Sequence, residues 1–278
     1  MFVAAGRTLL SGSWSHAFSN PSIQVGPLQL ALFGSIGRST EALAVVLATA
    51  TALLLVAAAK AAGVKSPALL GGVGLLAVAV GFTRVGYEVG HPADAVLPLV
   101  WILAAAEARR GRAGRAGLLV GLSAGLEIWG ILGIAVLALA PRRREAGLGA
   151  VVTGVVAAAL FLPFVLAGHF SMGAYQWQVT PPAPLSLIVG SGTPFGWPFR
   201  LAQGALAVSA GVAAARLLRR SPHAVWVAPL AIVGGRLLLD PLLISYYLTA
   251  LQGAVFVGAA LLTSRVLVLR RVRRKSFA

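Results

Sequence analysis

The chain has 278 residues, of which 58% are hydrophobic and only 11% charged, and its mean hydropathy is +0.88; that leaves too little polar surface for a water-soluble domain. The formal net charge of +16 raises nucleic-acid binding, so the placement of the 23 Lys and Arg decides what the charge means. The absence of cysteine excludes disulfides, thiolate metal sites and cysteine nucleophiles.

The class that remains is an all-α, polytopic membrane protein. Segments 2–12 and 27–37 are too short to span and read as helices lying in the outer interface, within an interfacial region covering residues 1–40. Apolar spans follow at about 41–59, 67–83, 93–108, 118–139, 146–168, 201–218, 223–239 and 242–264. Residues 1–264 thus form one membrane domain, with 169–200 as an external loop and 265–278 as a basic cytoplasmic tail.

The basic residues fall in the turns: Lys60 and Lys65; Arg109, Arg110, Arg112 and Arg115; Arg142 to Arg144; Arg216, Arg219 and Arg220; and the tail from Arg265. If every apolar segment crossed, the basic turns flanking 118–139 would lie on opposite faces, against the positive-inside tendency. A re-entrant hairpin broken near Gly125-Leu126-Glu127-Ile128-Trp129-Gly130 removes the conflict and leaves seven crossings. Only Arg7, Arg38, Arg84, Arg200 and Arg236 then remain toward the outer side. The positive charge therefore reads as orientation and attraction to anionic lipid, not as a nucleic-acid surface.

The outer side also receives Glu41, Glu88, Asp94, Asp240, His16, His91 and His169. Its densest stretch is Arg84 to Asp94, which places Arg84, Glu88, His91 and Asp94 at a membrane boundary, where ionisable groups lose hydration and need partners or ligands. Arg84 and Glu88, four apart, could simply neutralise one another. Asp94, two residues after Pro92, has a structural explanation as a first-turn carboxylate. A metal site needs more ligands than His91 and Asp94 show at this spacing.

A second group, Arg236 to Pro241 followed by Tyr246 and Tyr247, puts Arg236 and Asp240 four apart at the same level, so the two groups are expected to face one cavity. The tyrosines read first as interfacial anchors. The connection from His169 to Arg200 carries Tyr175, Trp177, Phe195, Trp197 and Phe199 among prolines, either as an aromatic belt or as a lid over a sugar or lipid chain. Glu127 reads as a group near cytoplasmic water or bonded within the hairpin.

Gly90-His91-Pro92-Ala93-Asp94, the basic turn after it, the glycine-rich 117–133 segment, and Arg236 to Pro241 with Tyr246-Tyr247 together resemble the actinobacterial family 87 polyprenol-phosphate-mannose-dependent glycosyltransferases of the GT-C superfamily. The resemblance covers most of the chain through short motifs. It implies a membrane hexosyltransferase that moves a sugar, typically mannose, from a polyprenyl-phosphate donor to a glycan or glycolipid outside the cytoplasm. On this view Arg84 and Arg236 bind the donor phosphate, Asp94, Glu88 and His91 surround the sugar and acceptor, and Asp240 and Tyr247 support them. No cofactor and no nucleotide site are expected. The family's first span and its acidic loop are not matched, as if the chain began after them; a truncated inactive paralogue and a non-catalytic lipid or solute transporter are therefore the competing readings.

Overall fold

The computed structural model describes residues 1–37, 40–82, 91–242 and 247–275, with the backbone alone for Thr40 and for residues 268–275. Arg38, Arg84, Glu88 and Tyr246 lie outside the described residues. The described chain is mostly helical. Helices α1 (Phe2–Leu9) and α2 (Pro27–Ile36) cross where Gly6 meets Gly34, and a Cβ on Gly6 would collide with the Leu30 carbonyl. Helix α3 (Thr40–Ala62) ends at Gly63, whose φ of +113° suits glycine. Helix α4 (Pro67–Ala79) begins with Pro67 behind a Ser66 cap that accepts from the Leu69 amide.

Helix α5 (Ala93–Arg109) is the axis of the bundle. Leu97, Leu99, Trp101, Ile102, Ala104 and Ala105 are all fully buried, as a helix apolar on every side requires when neighbours surround it. Helix α6 (Ala113–Leu126) follows, and at Glu127 the backbone turns extended, with φ −154° and ψ 139°. A 3₁₀ segment, Ile128–Leu139, then runs back along α6. At 1.5 Å per α-helical and 2.0 Å per 3₁₀ residue the two arms are each roughly 21–24 Å long, so their far ends meet again. The Trp101 indole closes the break by donating to Gly130 O at 3.1 Å and Ser123 Oγ at 3.2 Å.

Helix α7 (Arg143–Leu166) packs on the glycine stripe of α6. Gly117, Gly121 and Gly125 recur every four residues; a Cβ on Gly117 would collide with the Gly149 carbonyl, and one on Gly121 would sit 2.6 Å from Val156 Cβ. Such stripes let helices approach closely where lipid supplies no hydrophobic drive, and Thr153 uses that proximity to donate to Gly117 O at 3.1 Å. Helices α8 (Trp197–Leu217), α9 (Ala224–Leu238) and α10 (Leu248–Lys275) complete the chain. The basic tail is therefore a helical continuation of the last apolar segment.

Hydrogen bonds gather the basic turns at one end. Arg110 donates to Ala61 O at 3.3 Å, Arg109 to Ser221 O at 2.6 Å and Arg219 to Ala140 O at 3.2 Å, while Glu107 pairs with Arg110 at 2.7 Å and Arg112 at 3.4 Å. The other end holds the N-terminal helices, the 167–196 connection and the turn after α9. Among the described residues, three helical stretches are long and apolar enough to cross a membrane: Glu41–Ala62, Arg143–Leu166 and Leu248–Leu267. On α7, Val151 and Val155 are 64% and 63% exposed, an apolar outer face that suits lipid rather than water.

Two expectations about elements change. The hairpin begins at Ala113 rather than 118, and its second arm is 3₁₀ rather than α. Helix α4 stops at Ala79, short of the expected 83.

Candidate functional site

At the end away from the basic turns lies a cavity of about 450 Å³. His91, Glu127, Trp129, Gln203, Arg236, Asp240 and Tyr247 line it, with Met1 and Phe2 on one side and Tyr175, Trp177, Phe195, Trp197 and Arg200 on another. Elements far apart in sequence supply these groups: the start of α5, the tip of the hairpin, α8 and the end of α9. Backbone pairing fixes the tip, because Glu127 bridges Val25 and Gly26 N donates to Leu126 O at 2.7 Å.

Arg236 is 8% exposed and held on three sides. Its Nη2 lies 3.3 Å from Asp240 Oδ2, its guanidinium carbon 4.2 Å from the Trp129 ring centroid and 5.0 Å from that of Tyr247. Stacked guanidinium is less strongly hydrated than ammonium and tolerates this burial. Asp240 is fixed in turn by Gln203 Nε2 at 3.2 Å and the Leu242 amide at 3.2 Å. Arg236 Nη1 has no hydrogen-bond partner among the described residues.

The second half of the site is an acidic pocket around an imidazole. Ligand-capable atoms of His91, Asp94 and Glu127 all lie within 4.8 Å of one another. Asp94 is 2% exposed and, among the described residues, neither carboxylate oxygen has a hydrogen-bond partner; Glu127 is 9% exposed and its Oε2 has none among them. Burying such oxygens unpaired costs on the order of several kcal/mol per ion, so the site calls for a ligand, a cation or protons. Burial first, and then the positive field of Arg236, hold the His91 imidazole below its ordinary range, which keeps it neutral at pH 7. The Phe2 ring meets the His91 ring edge-on at 5.5 Å.

His91, Asp94, Arg236, Asp240 and Tyr247 are thus brought together, as expected for one shared cavity. Asp94 is set differently from expectation, behind His91 and Glu127 rather than on the cavity wall. Nor does it cap its helix, since its oxygens accept no backbone bond among the described residues. Tyr247 is 8% exposed and packs on Arg236 instead of anchoring at an interface.

Glu127 is the cavity residue that had no role in the site as read from the sequence. It stands at the tip of the hairpin, a full arm's length from the basic turns, and lines the cavity beside Trp129 of the same hairpin. A lone acid inside some 25 apolar residues was the available signal.

The aromatic connection lies over the cavity, with Tyr175, Trp177, Phe195 and Trp197 among its lining. Its short strands β1 (Trp177–Gln178) and β2 (Pro194–Phe195) pair, and Val179 and Phe195 are buried beneath them. Thr180 N donates to Pro241 O at 2.9 Å and Ser171 N to Phe18 O at 2.9 Å, tying the cap to both flanks. Arg200 donates to Tyr175 O at 2.5 Å and sits 5.5 Å from the Trp197 ring centroid.

No family model, no curated protein and no solved structure matches this chain.

Proposed function

We propose that the chain is a multi-pass membrane glycosyltransferase that moves a sugar, mannose by its family resemblance, from a polyprenyl phosphate to an extracytoplasmic glycan or glycolipid. The observation that carries this reading is the pairing, inside one aromatic-capped cavity, of a buried stacked guanidinium with carboxylate and imidazole groups at the end away from the basic turns. The basic turns support an orientation with their end in the cytoplasm and the cavity on the outer side of a cell membrane. Seven crossings and a re-entrant hairpin fit the alternation of helix ends, with the hairpin returning to the side it enters.

In this mechanism an acceptor hydroxyl oxygen attacks the anomeric carbon as the carbon–oxygen bond to phosphate breaks, inverting the configuration. The hydroxyl proton passes to Glu127, which borders the cavity, and the departing polyprenyl phosphate keeps the bonding electron pair, stabilised by Arg236. Asp240 and Tyr247 hold Arg236. Trp177 and Trp197 offer ring faces to the sugar, and Asp94 backs His91 and Glu127 from behind.

The test is transfer from radiolabelled polyprenyl-phosphate-mannose in membrane fractions, with related polyprenyl-phosphate sugars in parallel. Glu127→Gln and Arg236→Ala should each lower transfer tenfold or more, while Arg115→Ala, exposed at the opposite end, should leave it unchanged. No transfer from any of these donors would overturn the assignment.

A further inference from the structure

The geometry points to a divalent cation site formed by His91, Asp94 and Glu127, of the zinc or manganese class. They come from two parts of the chain, His91 and Asp94 from the start of α5 and Glu127 from the tip of the hairpin, and their donor atoms lie within 4.8 Å of one another. Ligands roughly 2.1 Å from a tetrahedral metal stand about 3.4 Å apart, so side-chain shifts on the order of 1 Å close the site.

Two independent features say that a cation belongs there. Among the described residues, Asp94, 98% buried, has both oxygens without hydrogen-bond partners, and Glu127 has one. An ordinary acidic cluster would direct these atoms to water or to backbone amides. Charge gives the same answer: among the described buried groups around the cavity three carboxylates, Asp94, Glu127 and Asp240, stand against the single guanidinium of Arg236. Asp240 already uses that guanidinium, so the remaining pair of negative charges matches one divalent ion.

The donor chemistry narrows the ion. One imidazole nitrogen with two carboxylates suits zinc or manganese, whereas magnesium and calcium prefer oxygen alone. His91 and Glu127 border the cavity while Asp94 lies behind them, so the open coordination position faces the cavity, the arrangement of a site that takes water or a substrate oxygen. Each carboxylate binding through one oxygen leaves the other of Glu127 free for a proton. The site does not rest on the transferase reading, although a phosphate or a hydroxyl would fit that position equally.

The experiment uses the full chain in detergent, stripped with chelator and without any sugar donor. Elemental analysis after zinc or manganese loading should return one ion per chain, and Asp94→Asn and Glu127→Gln should each weaken binding at least tenfold. Glu107→Gln, whose parent carboxylate is held by arginines at the other end, should not. Cobalt supplies a readout that needs no loss of function. Because the chain has no cysteine, His91→Cys should create a thiolate-to-cobalt charge-transfer band that the parent protein lacks. Absence of stoichiometric binding, binding unaltered by both carboxylate variants, or no thiolate band would each overturn the site. Since none of these measurements involves sugar transfer, failure here and failure of the transferase assay remain separate results.

Discussion

The Arg236 guanidinium lies over the Trp129 ring, its carbon 4.2 Å from the centroid, so a residue of α9 and one of the hairpin hold each other in place at the cavity. The contact is planar, and planarity is what lysine lacks. Arg236→Lys should therefore keep the charge opposite Asp240 yet lose the stack, and it should recover little of what Arg236→Ala removes. Removing the partner of buried Asp240 costs about 3–5 kcal/mol. Thermal unfolding in detergent should rank the parent above Arg236→Lys, and Arg236→Lys above Arg236→Ala. A lysine variant equal to the parent would show that charge alone matters.

The hairpin predicts which residues share a compartment. Gly114 and Gly147 flank it, and a Cβ at either position meets nothing within 4 Å, so single cysteines fit there without strain. In a chain with no native cysteine, impermeant thiol reagents should modify both from the same side of sealed vesicles. A cysteine at exposed Ser191, on the aromatic cap, should react only from the opposite side. Labelling of Gly114 and Gly147 variants from different sides would refute the return of the hairpin.

The α6–α7 crossing should be intolerant of a single methyl. Gly117→Ala places its Cβ against the Gly149 carbonyl, backbone against backbone, with no flexible side chain to give way. Overpacking of this kind costs roughly 1–3 kcal/mol. Gly114→Ala, three residues earlier on the same helix and in open space, should be neutral or slightly stabilising through helix propensity. Melting temperatures of the two variants measured side by side decide the point.

These elements show what composition and charge carry, and where they stop. Helices α3, α5, α7, α8 and α9 fall within a few residues of the apolar segments, because lipid and buried surroundings both select long apolar runs. The hairpin was legible through its flanking arginines. Its reach was not: the pattern of Ile128 to Leu139 fits a 3₁₀ segment as well as an α-helix, and the extra rise per residue helps carry Glu127 across to His91 and Asp94. The shared cavity followed from helix-end counting, whereas the burial of Asp94 behind its neighbours depends on how α5 rotates about its axis. No periodicity records that rotation in a helix buried on all sides.

The acidic pocket also predicts a conflict between stability and function. Among the described residues, Asp94 and Glu127 keep buried oxygens without partners, so in chelator-stripped protein with no ligand they burden the fold. Asp94→Asn replaces a carboxylate by a neutral amide of nearly the same shape and should stabilise the stripped protein on the order of 1–3 kcal/mol, read as a rise of several degrees in melting temperature. Glu127→Gln should act in the same direction, while its transfer activity falls. Glu107→Gln gives the contrast: its carboxylate is engaged by Arg110 and Arg112, so neutralising it should leave stability equal or slightly lower. Stability that drops in both pocket variants would mean that the two carboxylates are paired in the folded protein. The unpartnered oxygens would then be no reservoir for a ligand, and the chemistry assigned to the cavity would lose its physical basis.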